Sequence, residues 1–186
     1  MKLEPVKHIL GISAGFHDAA ATLIDSHGNI IFAGHSERYS KQKNDNNIHS
    51  SMLNEFCEYD IDTIAYYERP LVKQLRRLRS GEGVDFDSLT TRQILKKQLG
   101  DWLQYLPKHI KSYNHHLSHA AAGFQTSPYK KATCVVIDAI GEFDTVSIYA
   151  ARYDENGCAQ YHPLWQQKYP RSICLLYTSP SPRDTR

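Results

Sequence analysis

Apolar and polar residues alternate in short runs over the first 35 positions of the chain. His8–Ser13, 19–25 and 30–34 are mostly apolar, and the stretches between them are rich in Gly, Asp and Asn. Short apolar runs bounded by turn residues are typical of β-strands joined by tight turns. We therefore predict three sequential strands in an antiparallel meander.

The spacing of apolar residues becomes helical after position 50. Three segments have this spacing and predict helices, namely 50–59, 71–78 and 90–106. A further helix is predicted to begin near Asn114, and further strands are predicted at 62–67, 132–138, 145–153 and 158–167. Strands, then helices, then a strand ending in Asp and Gly predict an α/β fold with a mixed sheet, of the actin-like half-domain type.

Composition excludes several functional classes. The chain has 186 residues, of which 41% are hydrophobic, enough for one core and for one domain or most of one. The 22 basic residues nearly balance the 20 acidic ones, which argues against nucleic acid or anionic lipid as a partner. No run approaches the roughly 20 apolar residues that span a bilayer, so we predict a cytoplasmic protein that does not enter the membrane.

The end of the chain has a different composition. After Ser172 and Ile173 the sequence turns to Ser, Pro and Arg without periodicity, as in a translated adapter or read-through sequence. We predict a domain over 1–173, cut short in the gene, and a non-native or disordered tail over 174–186. A natural flexible tail is the alternative.

The segment HHLSHAAA, at 115–122, carries the first candidate chemistry. His115 and His119 are four residues apart, so on a helix both imidazoles lie on one face and can bind one metal ion, whereas His116 points elsewhere. Fe²⁺ or Zn²⁺ suits such ligands. The sequence offers no strong third ligand. The alternative is a polar helix start whose histidines contact solvent or cap the helix.

Two glycine-containing acidic turns follow apolar strands, at 11–18 and 136–142. Glycine lets backbone N–H groups approach phosphate, and an Asp at a strand end can hold a metal or its water shell. The pair could therefore clamp a nucleotide, although ordinary hairpin turns have the same composition. His17 in the first turn is a candidate proton acceptor for a hydroxyl, or else a turn histidine bonded to backbone.

Several segments resemble the N-terminal domain of the carbamoyltransferase family that includes nodulation protein U and the cephalosporin and tobramycin carbamoyltransferases. They occur in the family's order within 1–173: FHDAAA at 16–21, ERYS at 37–40, NHHLSHAA at 114–121, VIDAIGE at 136–142 and YPRSI at 169–173. The resemblance implies an actin-like fold of the Hsp70, sugar kinase and Kae1-like group. It also implies that carbamoyl phosphate and ATP yield a carbamoyl-adenylate, whose carbamoyl group passes to the hydroxyl of a small-molecule acceptor.

The resemblance also implies roles for individual residues. His115 and His119 correspond to metal ligands, with Fe²⁺ expected before Zn²⁺. His17 corresponds to the general base, with Asp18 as its catalytic neighbour. The nucleotide- and carbamoyl-binding positions would be Lys43, Asp138, Gly141 and Glu142.

Two departures from the family pattern alter these expectations. Ala139 stands where the family loop has a glycine, which would restrict φ or crowd the phosphate. The third metal ligand, the adenine-binding half and the carbamoyl phosphate domain would lie beyond residue 186, so we expect the chain alone to be inactive. The alternatives are a threonylcarbamoyl-transfer or sugar-kinase relative, or a non-catalytic metal- or nucleotide-binding module.

Overall fold

The computed structural model describes residues 7–100, 102 and 109–178. They form two compact units. The first takes its residues from Met1–Leu71 and Val84–Tyr113, and the second from Val72–Gly83 and Asn114–Arg186. The described residues have a mixed α/β architecture with a five-stranded and a three-stranded sheet.

The first unit is built on a five-stranded mixed sheet. Its strands are β1 (His8–Ser13), β2 (Ala20–Asp25), β3 (Ile30–His35), β4 (Ile61–Tyr66) and β5 (His109–Ser112). Their order in the sheet is β3-β2-β1-β4-β5. β1, β2 and β3 pair antiparallel, which confirms the predicted meander, whereas β4 and β5 join in parallel. The sequence analysis did not predict β5.

Short helices complete the first unit. They are α1 (Ser36–Ser40), α2 (Ser50–Leu53) and α4 (Thr91–Leu99), with 3₁₀ turns at Asn54–Phe56 and Phe86–Ser88. Helix α4 begins with a capping box between Thr90 and Gln93. The helix predicted over 90–106 is shorter than expected, because α4 ends at Gly100, whose φ is 53°; residues 103–108 lie outside the described part. The core contains Leu10, Leu23, Met52, Phe56, Ile64 and Leu95.

The second unit is a three-stranded antiparallel sheet with a helix packed on it. β6 (Lys131–Gly141), β7 (Asp144–Tyr153) and β8 (Ala159–Lys168) follow in that order. Helix α5 (His115–Gln125) packs through Ala120 against Val136 and Tyr149. Helix α6 (Ile173–Thr178) begins where the sequence showed no periodicity. Helix α3 (Pro70–Arg79) contributes its residues from Val72 onward to this unit.

Each unit contains a hairpin closed by the same turn. Asp25 Oδ1 accepts hydrogen bonds from the backbone N of His27 and Asn29, at 2.8 and 2.9 Å. Asp154 Oδ1 accepts from the backbone N of Asn156 and Cys158, both at 2.9 Å. The two turns share only an Asp and, three residues later, a Gly. This is too little for the sequence to show as an internal repeat.

No helix among the described residues combines the length and the apolar character needed to cross a membrane.

Candidate metal centre

Helix α5 presents two histidines at its first turn. Its N-cap residue, Asn114, accepts a hydrogen bond from the backbone N of Leu117 at 2.9 Å, which fixes where the helix begins. Since His115 and His119 are one turn apart, their side chains meet on one face, and their Nε2 atoms lie 3.1 Å apart. The structure thus brings together the two histidines that the sequence predicted as ligands.

A third donor comes from strand β6. Asp138 Oδ2 lies 3.0 Å from His115 Nε2. One donor atom from each of His115, His119 and Asp138 lies within 4.8 Å of the others. Asp138 belongs to an irregular segment of β6, where the pairing with β7 shifts between Ile137 and Gly141.

The sequence analysis did not group Asp138 with His115 and His119 as a third ligand of the same metal ion. It assigned the residue to the nucleotide and placed the third ligand beyond the chain. The signal was present, because Asp138 directly follows the apolar run that predicts a strand. The sequence does not show the strand register, which places the end of this strand beside the first turn of α5.

The protonation states of His119 and Asp138 favour metal binding. Burial, together with the neighbouring His115, lowers the pKa of His119, so its imidazole is neutral and has a free lone pair at neutral pH. The hydrogen bond from His115 is the main cause of the lowered pKa of Asp138, against the opposing effect of burial. Two imidazoles and a carboxylate therefore form a donor set suited to Fe²⁺ or Zn²⁺.

The spacing of the donors also fits a metal ion. Two nitrogens bound tetrahedrally at about 2.0–2.1 Å from one Zn²⁺ ion are about 3.3 Å apart. The measured separations of 3.1 Å between the imidazoles of His115 and His119, and of 3.0 Å from His115 to Asp138, are close to that value. The residues fit a divalent metal without a large rearrangement.

His116 faces away from the metal ligands and into the second unit, as the spacing predicted. Its side chain is fully buried, and its Nδ1 lies 2.8 Å from Ser147 Oγ. Its Nε2 is buried without a hydrogen-bond partner among the described residues. Burial lowers the pKa of His116, so it packs as a neutral imidazole beneath the metal ligands.

Gly141 packs closely against the histidines of α5. A Cβ atom at this position would lie 2.5 Å from His115 Cδ2 and 2.6 Å from His116 Cδ2. The sequence analysis reserved this glycine for a phosphate; in the structure the close neighbours are imidazoles. The left-handed residue of this turn is Glu142, whose φ is 59°. The nucleotide-binding roles of Asp138, Gly141 and Glu142 stay predictions.

Glu142 is tied to the N-terminus of α5. It is 3% exposed, and its Oε2 accepts a hydrogen bond from Asn114 Nδ2 at 3.3 Å. Asn114 therefore both caps the helix that carries His115 and bonds the turn that follows Asp138. This double role holds the two sequence segments of the metal centre in fixed register.

The remaining predicted site residues belong to the first unit. His17 Nδ1 and Asp18 Oδ2 form a hydrogen bond of 2.9 Å, and His17 is largely exposed. Asp18 has a φ of 51°, which places its side chain in the turn between β1 and β2. Lys43 is exposed in the turn after α1. The basic role of His17 and the binding role of Lys43 stay predictions.

The mixed α/β fold and the grouping of two histidines with one carboxylate define a broad class, and comparison with known proteins gives the family. The carbamoyltransferase N-terminus family matches residues 8–181, and the chain belongs to this family. The chain is 30% identical over 139 residues to nodulation protein NolNO of Sinorhizobium fredii. It is also 30% identical over 197 aligned positions to the uncharacterized protein sll1178 of Synechocystis.

The matched part of the relatives is short compared with their length. The alignments cover 92% of this chain but 31% of the Synechocystis protein, and 68% of this chain but 20% of NolNO. The chain thus spans a third or less of the curated relatives that it matches.

Proposed function

We propose that the chain is the N-terminal part of an ATP-dependent O-carbamoyltransferase. In the proposed reaction, carbamoyl phosphate, ATP and water give a carbamoyl-adenylate, and phosphate and pyrophosphate are released. The carbamoyl group then passes to the hydroxyl of a small-molecule acceptor, which loses its proton as AMP leaves. The observation that carries the proposal is the convergence of His115, His119 and Asp138 in a chain of the carbamoyltransferase N-terminus family. We place this chemistry in the cytoplasm, where both co-substrates are available.

The metal centre has a role of its own in this proposal. His115, His119 and Asp138 would hold Fe²⁺, or Zn²⁺ as the second choice. The metal would supply positive charge for the phosphate oxygens of the adenylate, as Lewis-acidic ions do in phosphoryl and acyl transfer. Gly141 and Asn114 keep His115 in position, through close packing and through the helix cap.

His17 is the proposed general base. The hydroxyl of the acceptor must lose a proton as it attacks the carbamoyl carbon, and an exposed imidazole can accept it on Nε2. Asp18 Oδ2 accepts a hydrogen bond from Nδ1 of His17, at 2.9 Å, and thereby orients the ring with Nε2 available for the proton. Lys43 is exposed on a nearby stretch of the first unit and is assigned to the carbamoyl or phosphate oxygens.

The architecture of the first unit supports an actin-like fold. Its strand order is β3-β2-β1-β4-β5, in which an antiparallel meander is followed by two parallel strands. The second unit begins with its own antiparallel meander, and both meanders contain the Asp-closed hairpin. Such a repeated start is the arrangement that the proposed two-lobed ATPase fold requires.

The test uses the protein encoded by the complete reading frame that contains this segment. We expect AMP to form from ATP only when carbamoyl phosphate is present, and a carbamate ester to appear by mass spectrometry with a panel of hydroxyl-bearing acceptors. His17→Ala should lower kcat by roughly 10²–10⁴-fold. The matched control is His27→Ala, an exposed turn histidine of the same unit.

Two outcomes would contradict the proposal. AMP formation that does not depend on carbamoyl phosphate would show that carbamoyl phosphate is not the donor. Phosphorylation of an acceptor with release of ADP would instead identify a kinase. Equal effects of His17→Ala and His27→Ala would remove the base assignment while leaving the reaction class intact.

A further inference from the structure

A second group of metal-binding side chains lies in the first unit. It consists of Asp18, His35 and Glu37, and one donor atom from each lies within 4.8 Å of the others. All three residues are partly buried. The group shares no residue with the metal centre on α5 and has a different composition, with two carboxylates and one imidazole.

The strand register brings these residues together. Ala20 on β2 pairs with His35, the last residue of β3, so the turn that carries Asp18 lies beside the end of β3. The backbone N of Ser36 donates to the carbonyl of Ala19 at 2.7 Å, which ties the start of α1 to the same turn. Glu37 then follows in the first turn of α1. The convergence therefore arises from backbone pairing and does not depend on long flexible side chains.

The charges of this group are not balanced by lysine or arginine. Across 7–100, 102 and 109–178, neither Asp18 nor Glu37 forms an ion pair with a Lys or Arg side chain. Lys41 is close in sequence, but its Nζ donates to the backbone carbonyl of Arg38 at 2.7 Å. Two carboxylates in such proximity repel each other unless a proton or a cation lies between them.

His35 provides an independent sign of a ligand site. Its Nδ1 is buried and has no hydrogen-bond partner within the part of the chain that the structure describes. A buried polar atom without a partner is unfavourable, and an ion bound at Nδ1 would relieve this. His35 is also the N-cap residue of α1 but makes no capping hydrogen bond, so the helix does not account for its position.

We propose that Asp18, His35 and Glu37 form a second divalent cation site. Two carboxylates and one imidazole make a harder donor set than that of the metal centre, and Mn²⁺ is the borderline-hard ion that such a set accepts. The hydrogen bond from His17 to Asp18 is compatible with this role, because a carboxylate has about four lone-pair positions. The site stands on its own geometry and does not depend on the proposed reaction.

The test is a Mn²⁺ titration of the 186-residue chain, in which the electron paramagnetic resonance signal measures the free Mn²⁺. A His115→Ala/His119→Ala background first removes the metal centre. In this background we expect about one equivalent of Mn²⁺ to remain bound, and none after Glu37→Gln or Asp18→Asn is added. Asn tolerates the φ of Asp18, so this variant retains the turn.

Glu58→Gln is the matched control, since it removes an exposed carboxylate of the same unit. Binding lost with Glu37→Gln but kept with Glu58→Gln supports the site. Absence of bound Mn²⁺ in the background variant overturns the proposal, as does binding that Glu37→Gln leaves unchanged. If Asp18→Asn fails to fold by circular dichroism, the helix-surface variant Glu37→Gln decides the question alone.

Discussion

Gly141 lies against the imidazole of His115, and the gap between them has no room for a side chain. A Cβ atom on Gly141 would lie 2.5 Å from His115 Cδ2, and 2.9 Å from Nε2 of the buried His116. Either the end of β6 or the first turn of α5 would have to move to accept it. Because His115 is a metal-ligand candidate, crowding at Gly141 should affect both folding and metal binding.

We therefore predict that Gly141→Ala destabilises the chain by about 1–3 kcal/mol, the usual cost of overpacking. Metal affinity should fall as well, since the His115 ring would be displaced from Asp138. Urea unfolding and a Zn²⁺ titration measure the two effects. Gly123→Ala is the matched control, because Gly123 is in α5 and has no atom within 4 Å of its added Cβ.

Gly123→Ala should change the free energy of unfolding in the opposite direction. Replacing a glycine inside a helix by alanine stabilises by roughly 0.5–1 kcal/mol where space permits. If Gly141→Ala proved as stable as the parent chain, the close packing of Gly141 on the two histidines would be wrong.

The second prediction concerns Asp138 as the third metal ligand. Asp138→Asn keeps the shape of the side chain but removes its charge, and it should weaken Zn²⁺ or Fe²⁺ binding at least roughly tenfold. His115→Ala combined with His119→Ala should remove the iron or zinc held by this group of side chains. Metal content after gel filtration, measured by mass spectrometry, checks both. His162→Ala is the control, as His162 is exposed on β8 of the same unit.

Unchanged iron or zinc content in the double variant would refute the metal centre. If His115→Ala/His119→Ala lowers the metal content and Asp138→Asn does not, the two histidines are metal ligands and Asp138 is not.

The sequence contains much of the local structure of this chain but little of its register. The first three strands and the start of α5 could be predicted, because apolar periodicity and the Asn114 cap are local signals. The extent of β6 could not, because its last residues, Ala139 to Gly141, are a turn by composition. Only pairing with β7 makes them part of a strand.

The same distinction explains which site residues were found. His115 and His119 belong to one helix, so their proximity follows from spacing alone. Asp138 reaches them through a strand that is distant in sequence, and Asp18, His35 and Glu37 meet through the pairing of β2 with β3. Long-range pairing is not visible in a single sequence.

The third prediction concerns the backbone at Asp18. Its φ of 51° lies in the left-handed region, which Asn and Asp adopt more readily than Ala. Asp18→Ala should therefore be about 1 kcal/mol less stable than Asp18→Asn. Fluorescence of Trp102, which packs on Phe56 in the first unit, reports urea unfolding in a Trp165→Phe background.

The same pair of substitutions at Asp60 serves as the control, because Asp60 has an ordinary negative φ and is exposed. A gap between Ala and Asn of equal size at both positions would show that the backbone of Asp18 is not strained.

The fourth prediction is a pH dependence of stability that arises from His116. Burial lowers the pKa of this imidazole in the folded chain, whereas in the unfolded chain it titrates near 6.5. As the pH falls below about 6.5, the unfolded state binds a proton that the folded state does not, so stability decreases. The contribution is complete above the unfolded pKa and is lost at a slope of up to about 1.4 kcal/mol per pH unit.

Urea unfolding between about pH 7.5 and 5 measures this slope. Trp165 fluorescence monitors the unfolding in a Trp102→Phe background, with a chelator present. Trp165 lies on β8 opposite Ile148 of β7, so it reports on the unit that contains His116. His119 and Asp138 also have lowered pKa values, and they add to the loss in acid. The diagnostic quantity is therefore the difference between the parent chain and His116→Asn, which should have the shallower slope because it lacks the buried imidazole. The control is His162→Asn, at an exposed position, which should leave the slope unchanged. Equal slopes in all three proteins would mean that His116 is not held neutral by burial.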